Sequence, residues 1–341
     1  MPDLYHKPIY ILGAGGIGTV VAWSLSRKGY SVILVDRNST KVAEGMKNGV
    51  KVDNHGTQWI PLITFDAWDP PMESIVLLCT KTYDNSAILA RLPDNTFLIP
   101  IQNGFDLELE RRDHAGECIA SFVSECQRDR PVTRISRPGK LYVGQRRSII
   151  THDERNNLES LAAALNEAGL FTVEMVQDIR PYKATKLMYN AAISPLAAIA
   201  GVDNGELLTN QLAKKLFFGL LSENYAILHH AKIPLARIGP FHPDCVSLIL
   251  RYPALATFFT IFFLSSLRGT YCSMAPDIAI GSHRTEIEAY NGYLIRLAGD
   301  FPCPLNRAVL ALIEKVSQEG LQPQREYLHY LAENLPAGVL Q

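Results

Sequence analysis

The stretch Ile9-Tyr10-Ile11-Leu12-Gly13-Ala14-Gly15-Gly16-Ile17-Gly18 decides how the first half of this chain is read. A short apolar run leads directly into a G-x-G-x-x-G. Behind it Val20, Val21, Ala22 and Leu25 carry a helical spacing that ends near Gly29. Ser31-Val32-Ile33-Leu34-Val35-Asp36 then reads as a second buried strand. This is a βαβ unit with its glycines where a dinucleotide-binding turn needs them. Gly13 permits the tight turn, Gly15 lets the backbone approach a pyrophosphate, and Gly18 lets the helix pack closely on the strand. Gly16 and Ile17 complete the segment at the helix N-terminus, whose unpaired N–H groups suit phosphate. All of these are candidate cofactor ligands.

Asp36, at the end of the second strand, bears on which dinucleotide is held. A carboxylate there suits the two ribose hydroxyls of NAD and repels the 2′-phosphate of NADP. One charge pair at about 4 Å is worth about 1–4 kcal/mol between aqueous and surface dielectrics. Arg37 pulls the other way, because a guanidinium can hold that phosphate. NAD is the expected cofactor and NADP the alternative.

Beyond this unit the chain alternates strand-like runs with helical or irregular pieces. Ser74-Ile75-Val76-Leu77-Leu78-Cys79 is followed by Thr80-Lys81-Thr82, and Thr96-Phe97-Leu98-Ile99-Pro100-Ile101 by Gln102-Asn103-Gly104. Both put polar residues just past a strand end, where open parallel sheets place their ligands, so Lys81 and Asn103 are site candidates. Residues 120–150 are short and mixed in pattern, 153–169 read as an amphipathic helix, and 171–175 as a last strand. Everything afterwards is helical in period, over 182–200, 206–231, 243–267, 285–298 and 306–319. The expected fold is therefore α/β, a Rossmann-type dinucleotide-binding domain over 1–178 followed by an all-helical domain over 179–341.

Composition narrows the function. The 341 residues carry 33 Lys plus Arg against 34 Asp plus Glu, a net charge of -1, which leaves no basic footprint for nucleic acid or anionic membrane. A small molecule is the expected partner. The six cysteines show no CxxC pairing or ligand-like spacing. They read as free thiols of a cytoplasmic protein, with no metal site expected. The N-terminus does not read as a signal sequence. The uncharged run from Tyr252 to Leu267 is shorter than the roughly 20 residues of a membrane span. It reads as a core or subunit-interface helix, with Phe258-Phe259 and Phe262-Phe263 as packing residues.

In Lys186-Leu187-Met188-Tyr189-Asn190-Ala191-Ala192-Ile193-Ser194-Pro195, helical spacing places Lys186, Asn190 and Ser194 along one face. A lysine and two neutral hydrogen-bonding residues are costly if merely buried, and make sense lining a wet cleft. Pro195 cannot donate to the Ala191 carbonyl, so a kink is expected there.

Taken together, the motifs resemble the ketopantoate reductase (2-dehydropantoate 2-reductase) family. They are Gly13-Ala-Gly-Gly-Ile-Gly18, Cys79-Thr-Lys-Thr82, Ile101-Gln-Asn-Gly104, Lys186-Leu-Met-Tyr-Asn190, Asn204-Gly-Glu-Leu207, Tyr271-Cys-Ser-Met274, Thr285-Glu-Ile287 and Asn291-Gly292, in the family's order. The resemblance implies NAD(P)H-dependent reduction of a 2-oxo acid to a 2-hydroxy acid by a protein that forms a homodimer. It matches Lys186 to the general acid, Glu286 to the active-site glutamate and Asn103 to the asparagine beside the nicotinamide. Lys81 matches a cofactor-side lysine, while Asn190, Ser194, Ser273 and Asn103 match substrate-binding positions. Ser194 departs from the family's asparagine, and Asp36 from the basic or neutral residue of NADP enzymes. Two other functions are carried forward: an NAD-dependent D-2-hydroxyacid dehydrogenase of the same family, and a dinucleotide-binding sensor without catalysis.

Overall fold

The structure is a computed structural model that describes residues 4, 7–252, 255–256 and 267–340. The chain divides into two units, one of Met1–Gln102 and Leu107–Arg180, the other of Asn103–Asp106 and Pro181–Gln341.

In the first unit the elements run β1 (Ile9–Leu12), α1 (Gly16–Arg27), β2 (Val32–Asp36), α2 (Ser39–Asn48), β3 (Val50–Val52), β4 (Thr57–Gln58), β5 (Leu62–Thr64) and β6 (Ile75–Leu78). There follow α3 (Asn85–Leu89), β7 (Phe97–Pro100), α4 (Leu107–Arg111), β8 (Gly116–Ala120), β9 (Val123–Cys126), β10 (Val132–Arg137), β11 (Lys140–Gln145), α5 (His152–Glu167) and β12 (Thr172–Asp178). β5-β2-β1-β6-β7 form a five-stranded parallel sheet in which Ile9 pairs with Val32 on one side and Ile75 on the other. That order, with the first strand central, is the doubly wound arrangement the βαβ reading calls for. The strands are apolar at nearly every position because both faces are covered. Ile9, Ile11, Leu34, Ile75 and Leu77 enter one core with Trp23 and Leu25 of α1. Tyr10, Leu12, Val35, Val76 and Leu78 enter another with Trp68 and Leu92. The period-two alternation of a strand divides them so.

The mixed stretch 120–150 resolves into β9, β10 and β11. β9 and β10 join β3 and β4 in a second sheet, while β11 sits between β12, parallel, and β8, antiparallel, in a third. α5 starts in a capping box, Thr151 accepting from the Glu154 N–H and the Glu154 carboxylate accepting from the Thr151 N–H.

The second unit is helical among its described residues: α6 (Arg180–Ala200), α7 (Asn204–Leu207), α8 (Gln211–His230), α9 (Pro243–Leu250), α10 (Ala275–Ala279), a π-helical turn (Glu288–Gly292), α11 (Tyr293–Ala298), α12 (Pro304–Gln318) and α13 (Glu326–Glu333). α6 begins at Arg180 of the first unit and continues through the second. Three helical expectations are corrected. The helix expected over 243–267 ends at Leu250, with Arg251 as its C-cap. The stretch 206–231 is two helices, because the Asn210 side chain accepts from the Ala213 N–H and caps a new start. The stretch 285–298 is helical only from Ile287, so Glu286 precedes the helix, which opens in the wider π turn. The Phe pairs at 258–259 and 262–263 lie outside the described residues. No helix among the described residues is long and apolar enough to cross a membrane. All six cysteines are free.

Candidate active site

In the first unit the glycine-rich turn after β1 is built against several neighbouring segments. Gly13 has φ +97°, and a Cβ there would lie 3.0 Å from the Cys79 carbonyl and from Thr80, the residues leading from β6 to Lys81. Only glycine meets both conditions. A Cβ on Gly18 would fall 1.9 Å from the Gly13 carbonyl, so the start of α1 rests directly on the turn. Gly16 answers to a different neighbour, the Ser124 carbonyl of β9 at 2.3 Å from its Cβ position. Gly15 answers to none: its Cβ would find nothing within 4 Å. No protein contact demands glycine at 15, whereas a ligand approaching the backbone would.

α1 has no side-chain cap at its N-terminus, and the Ser124 hydroxyl is buried without a hydrogen-bond partner among the described residues. Uncapped helix donors, an open cradle and an orphaned hydroxyl fit a dinucleotide's phosphates. Asp36 accepts from the Ala14 N–H at 2.6 Å through one oxygen and from the Asn38 N–H at 2.8 Å through the other. It therefore pins the glycine-rich turn, and each oxygen keeps acceptor capacity for a ribose hydroxyl. Arg37 is already engaged, donating to Asp84 at 2.5 Å and lying 5.3 Å over the Phe65 ring. Asp84 closes the single 3₁₀ turn that Lys81 opens, so Asp36-Arg37 and the loop after β6 are tied together.

Gln102 and Asn85 are residues the sequence reading missed. Their side-chain amides bond reciprocally at 2.8 and 3.1 Å, and Gln102 also donates to the Thr80 carbonyl at 2.8 Å. Both are buried. This pair locks the loop after β6 to the end of β7, the strand that leads into Asn103. A Gln-Asn-Gly at a strand end was the available signal, but nothing local names Asn85 as its partner.

In the second unit the 103–106 turn is fastened to two helical segments. Gly104 has φ +73°, and a Cβ there would be 2.7 Å from both the Ala289 carbonyl and the Tyr290 ring. Phe105 donates its N–H to the Ala289 carbonyl at 2.9 Å and stacks on Tyr293 with centroids 4.5 Å apart. From α6, the Lys183 ammonium lies 4.7 Å over the Phe105 ring. Lys183 is 1% exposed and stands three, seven and eleven positions before Lys186, Asn190 and Ser194, on the same side of the helix. That spacing was the missed signal.

Asn103 is half-buried beside Gly104, and Lys186 and Asn190 are half-buried on α6. Ser194 and Glu286 are each 3% exposed. The Ser194 carbonyl accepts from the Cys272 thiol at 3.2 Å, and the next residue, Ser273, bonds the Tyr290 hydroxyl at 3.0 Å. Tyr290 is the residue that Gly104 packs on. Four separate stretches, containing Asn103, Ser194, Ser273 and Glu286, thus meet around the π turn of the second unit. Gly13, Gly15, Gly16, Ile17, Gly18, Asp36, Arg37 and Lys81 belong to the first unit.

Pro195 shapes α6 as its chemistry requires. It leaves the Ala191 carbonyl without its helical donor, and that carbonyl accepts from Asn291 at 3.0 Å. Asn291 also donates to Asn306 at 2.8 Å. Asn306 donates to Glu223 and to Asn224, each at 2.8 Å, and Asn224 reaches the Met188 carbonyl at 3.0 Å. Carbonyls on both sides of Asn190 are thereby held by one buried polar network. Burial raises the Glu223 pKa, against the opposing hydrogen bonds from Asn306 and Leu305. Asn291→Ala strands the Ala191 carbonyl and the Asn306 amide oxygen. We expect it to destabilise the protein by about 1–3 kcal/mol per orphaned group, measured by denaturant unfolding.

No group of three or more His, Cys, Asp or Glu side chains among the described residues could hold a metal ion. Two family models match the chain, "Ketopantoate reductase PanE/ApbA" over residues 9–148 and "Ketopantoate reductase PanE/ApbA C terminal" over 178–317. A 2-dehydropantoate 2-reductase of Pyrococcus horikoshii is 28% identical over 327 residues, covering 92% of this chain and 98% of its own. Two solved structures share the fold. A PanE/ApbA family ketopantoate reductase from Ralstonia eutropha has a TM-score of 0.73 at 23% identity, over 92% of this chain and 99% of its own. A D-mandelate dehydrogenase, solved with NADH and anilino(oxo)acetate, has a TM-score of 0.72 at 19% identity over the same shares.

Proposed function

The chain belongs to the ketopantoate reductase family, and from that premise we propose that it uses NAD(P)H to reduce a small branched 2-oxo acid, 2-dehydropantoate or one like it, to the 2-hydroxy acid. The observation that carries this reading is the meeting of Asn103, Ser194, Ser273 and Glu286 segments around the π turn. The bonds Phe105–Ala289, Cys272–Ser194 and Ser273–Tyr290 hold these segments together.

Bound at the Gly13–Gly18 turn, the dinucleotide would supply the hydride. What the chain's own residues supply is orientation and electrostatics. Reduction builds negative charge on the substrate's carbonyl oxygen, and the Lys186 Nζ meets it as a point charge and as proton donor. Glu286 orients that ammonium and accepts from a substrate hydroxyl. Asn190, Ser194 and Ser273 hold the substrate's polar groups, and Asn103 orients the nicotinamide. Lys81 serves the cofactor.

NAD is the proposed cofactor. Asp36 carries the charge that repels a 2′-phosphate, and Arg37, the group able to hold one, is committed to Asp84 and Phe65. The expected result is a higher kcat/KM with NADH than with NADPH; a tenfold preference for NADPH would sink the assignment. The substrate is read by a panel of 2-oxo acids, including 2-dehydropantoate and the 2-oxo acid of mandelate, assayed with each reduced cofactor. Ser194 favours the second reading, a D-2-hydroxyacid dehydrogenase. A hydroxyl reaches less far than the family's amide and leaves room for a different side chain, so turnover confined to the aryl acid would select it. Tight cofactor binding with no turnover on any acid would mean a sensor instead.

A further inference from the structure

Lys41 stands in the first turn of α2. It is 8% exposed, and its Nζ donates to the Ala14 carbonyl at 3.0 Å and lies 3.7 Å from the Cys126 thiol. The Cys126 Sγ itself lies 3.3 Å from the Ala14 carbonyl and 3.5 Å from the Arg130 carbonyl, which compete for its single proton. Among the described residues no carboxylate oxygen lies within 4.0 Å of the Lys41 ammonium. A cation taken out of water without an anion is costly, and a lysine on a surface helix has solvent within reach of its long stem. The fold nevertheless turns this one inward, onto the dinucleotide turn.

Its position there has a directional consequence. Asp36 takes the Ala14 N–H at 2.6 Å and Lys41 takes the Ala14 carbonyl at 3.0 Å, so the peptide groups on both sides of residue 14 are held. In a trans peptide the carbonyl and the following N–H point in opposite directions, and the chain has no cis bond among the described residues. With the Ala14 carbonyl drawn to Lys41, the Gly15 N–H faces away from it. Gly15 is where the turn is open, with nothing within 4 Å of its Cβ position. At the neighbouring Gly16, the unpartnered Ser124 hydroxyl lies 2.8 Å from the Cβ position.

We propose that Lys41 is a positioning residue for the cofactor's pyrophosphate. It holds the Ala14–Gly15 peptide so that Gly15 offers its N–H to phosphate, and it places behind that peptide a buried positive charge that favours an anion at the turn. This rests on the reading of the turn as a dinucleotide site. It also explains how Asp36 can stand at the same turn without setting an uncompensated negative charge beside the phosphates.

The test measures the Kd of ADP-ribose and of adenosine, which lacks phosphate, by calorimetry and competition. The proteins are wild type, Lys41→Met and Lys41→Gln, with melting temperatures taken without ligand. Lys41→Met is expected to weaken ADP-ribose binding about 10–100-fold, the worth of a charge-assisted hydrogen bond, with adenosine binding unchanged. Lys41→Gln, which keeps a donor for the Ala14 carbonyl but no charge, should fall between the two. ADP-ribose affinity equal to wild type in either variant overturns the assignment. So does an equal loss for adenosine, which marks general collapse of the turn. Should Lys41→Met not fold, Lys41→Gln decides by the same two ligands. Wild type that binds no ADP-ribose overturns the dinucleotide reading itself, and this inference with it.

Discussion

Lys186→Ala is expected to lower kcat about 10²–10⁴-fold while leaving NADH affinity within about twofold of wild type. The split follows from where charge develops. The ground state has a neutral carbonyl and the transition state a partial oxyanion, so removing a cation and proton donor costs the second far more than the first. Lys186 is half-buried on α6, so its truncation leaves no large cavity, and stability should change little. Single-turnover kinetics together with titration of nicotinamide fluorescence separate the two quantities. If kcat survives and only stability falls, Lys186 is one arm of a structural ion pair and the proton donor must be sought elsewhere. Lys183, buried on the same side of the helix and facing Phe105, would then be the first to examine.

The second large effect contrasts two glycines of one turn. Gly18→Ala drives a Cβ to 1.9 Å from the Gly13 carbonyl oxygen, a backbone atom that no side-chain rotation can move aside. Relief requires α1 to lift off β1, at the upper end of about 1–3 kcal/mol for overpacking or beyond it. A loss of about 3 kcal/mol corresponds to roughly 6–12 °C in Tm for a domain of this unit's size. Dinucleotide binding should fail along with it. Gly15→Ala has the opposite signature. Its Cβ meets no protein atom, and φ -82°, ψ -167° is ordinary extended backbone, so Tm should hold. NADH binding should nevertheless fall, because the new methyl occupies the space the phosphates need. Calorimetry on the two variants distinguishes them; a Gly15→Ala protein that binds NADH as wild type does would remove the pyrophosphate from this turn.

How much of this was legible beforehand depends on the range of the interaction. The β1-α1-β2 unit, the acidic residue closing it and the buried runs of β6 and β7 are local patterns, set by periodicity and by glycine's missing Cβ. Ser194 and Glu286 could be named from motif order. Helical period runs through Glu286, and its place just before a π turn has no local signal. Residues 120–150 are hard to read from sequence because short strands in mixed sheets leave weak alternation, and β9 reaches the turn through two residues distant in sequence, Ser124 at Gly16 and Cys126 at Ala14.

Pro195 shows the division most clearly. The sequence by itself determined that the Ala191 carbonyl would lose its helical donor, because proline has no N–H. That Asn291, 100 residues away, would replace that donor was decided only by the tertiary structure. The same holds for Lys41 at Ala14 and Lys183 over Phe105. Backbone stereochemistry acts within a few residues and can be read in order. A buried polar or charged group instead takes whichever partner the packed chain brings within about 3 Å, and sequence distance does not enter that choice.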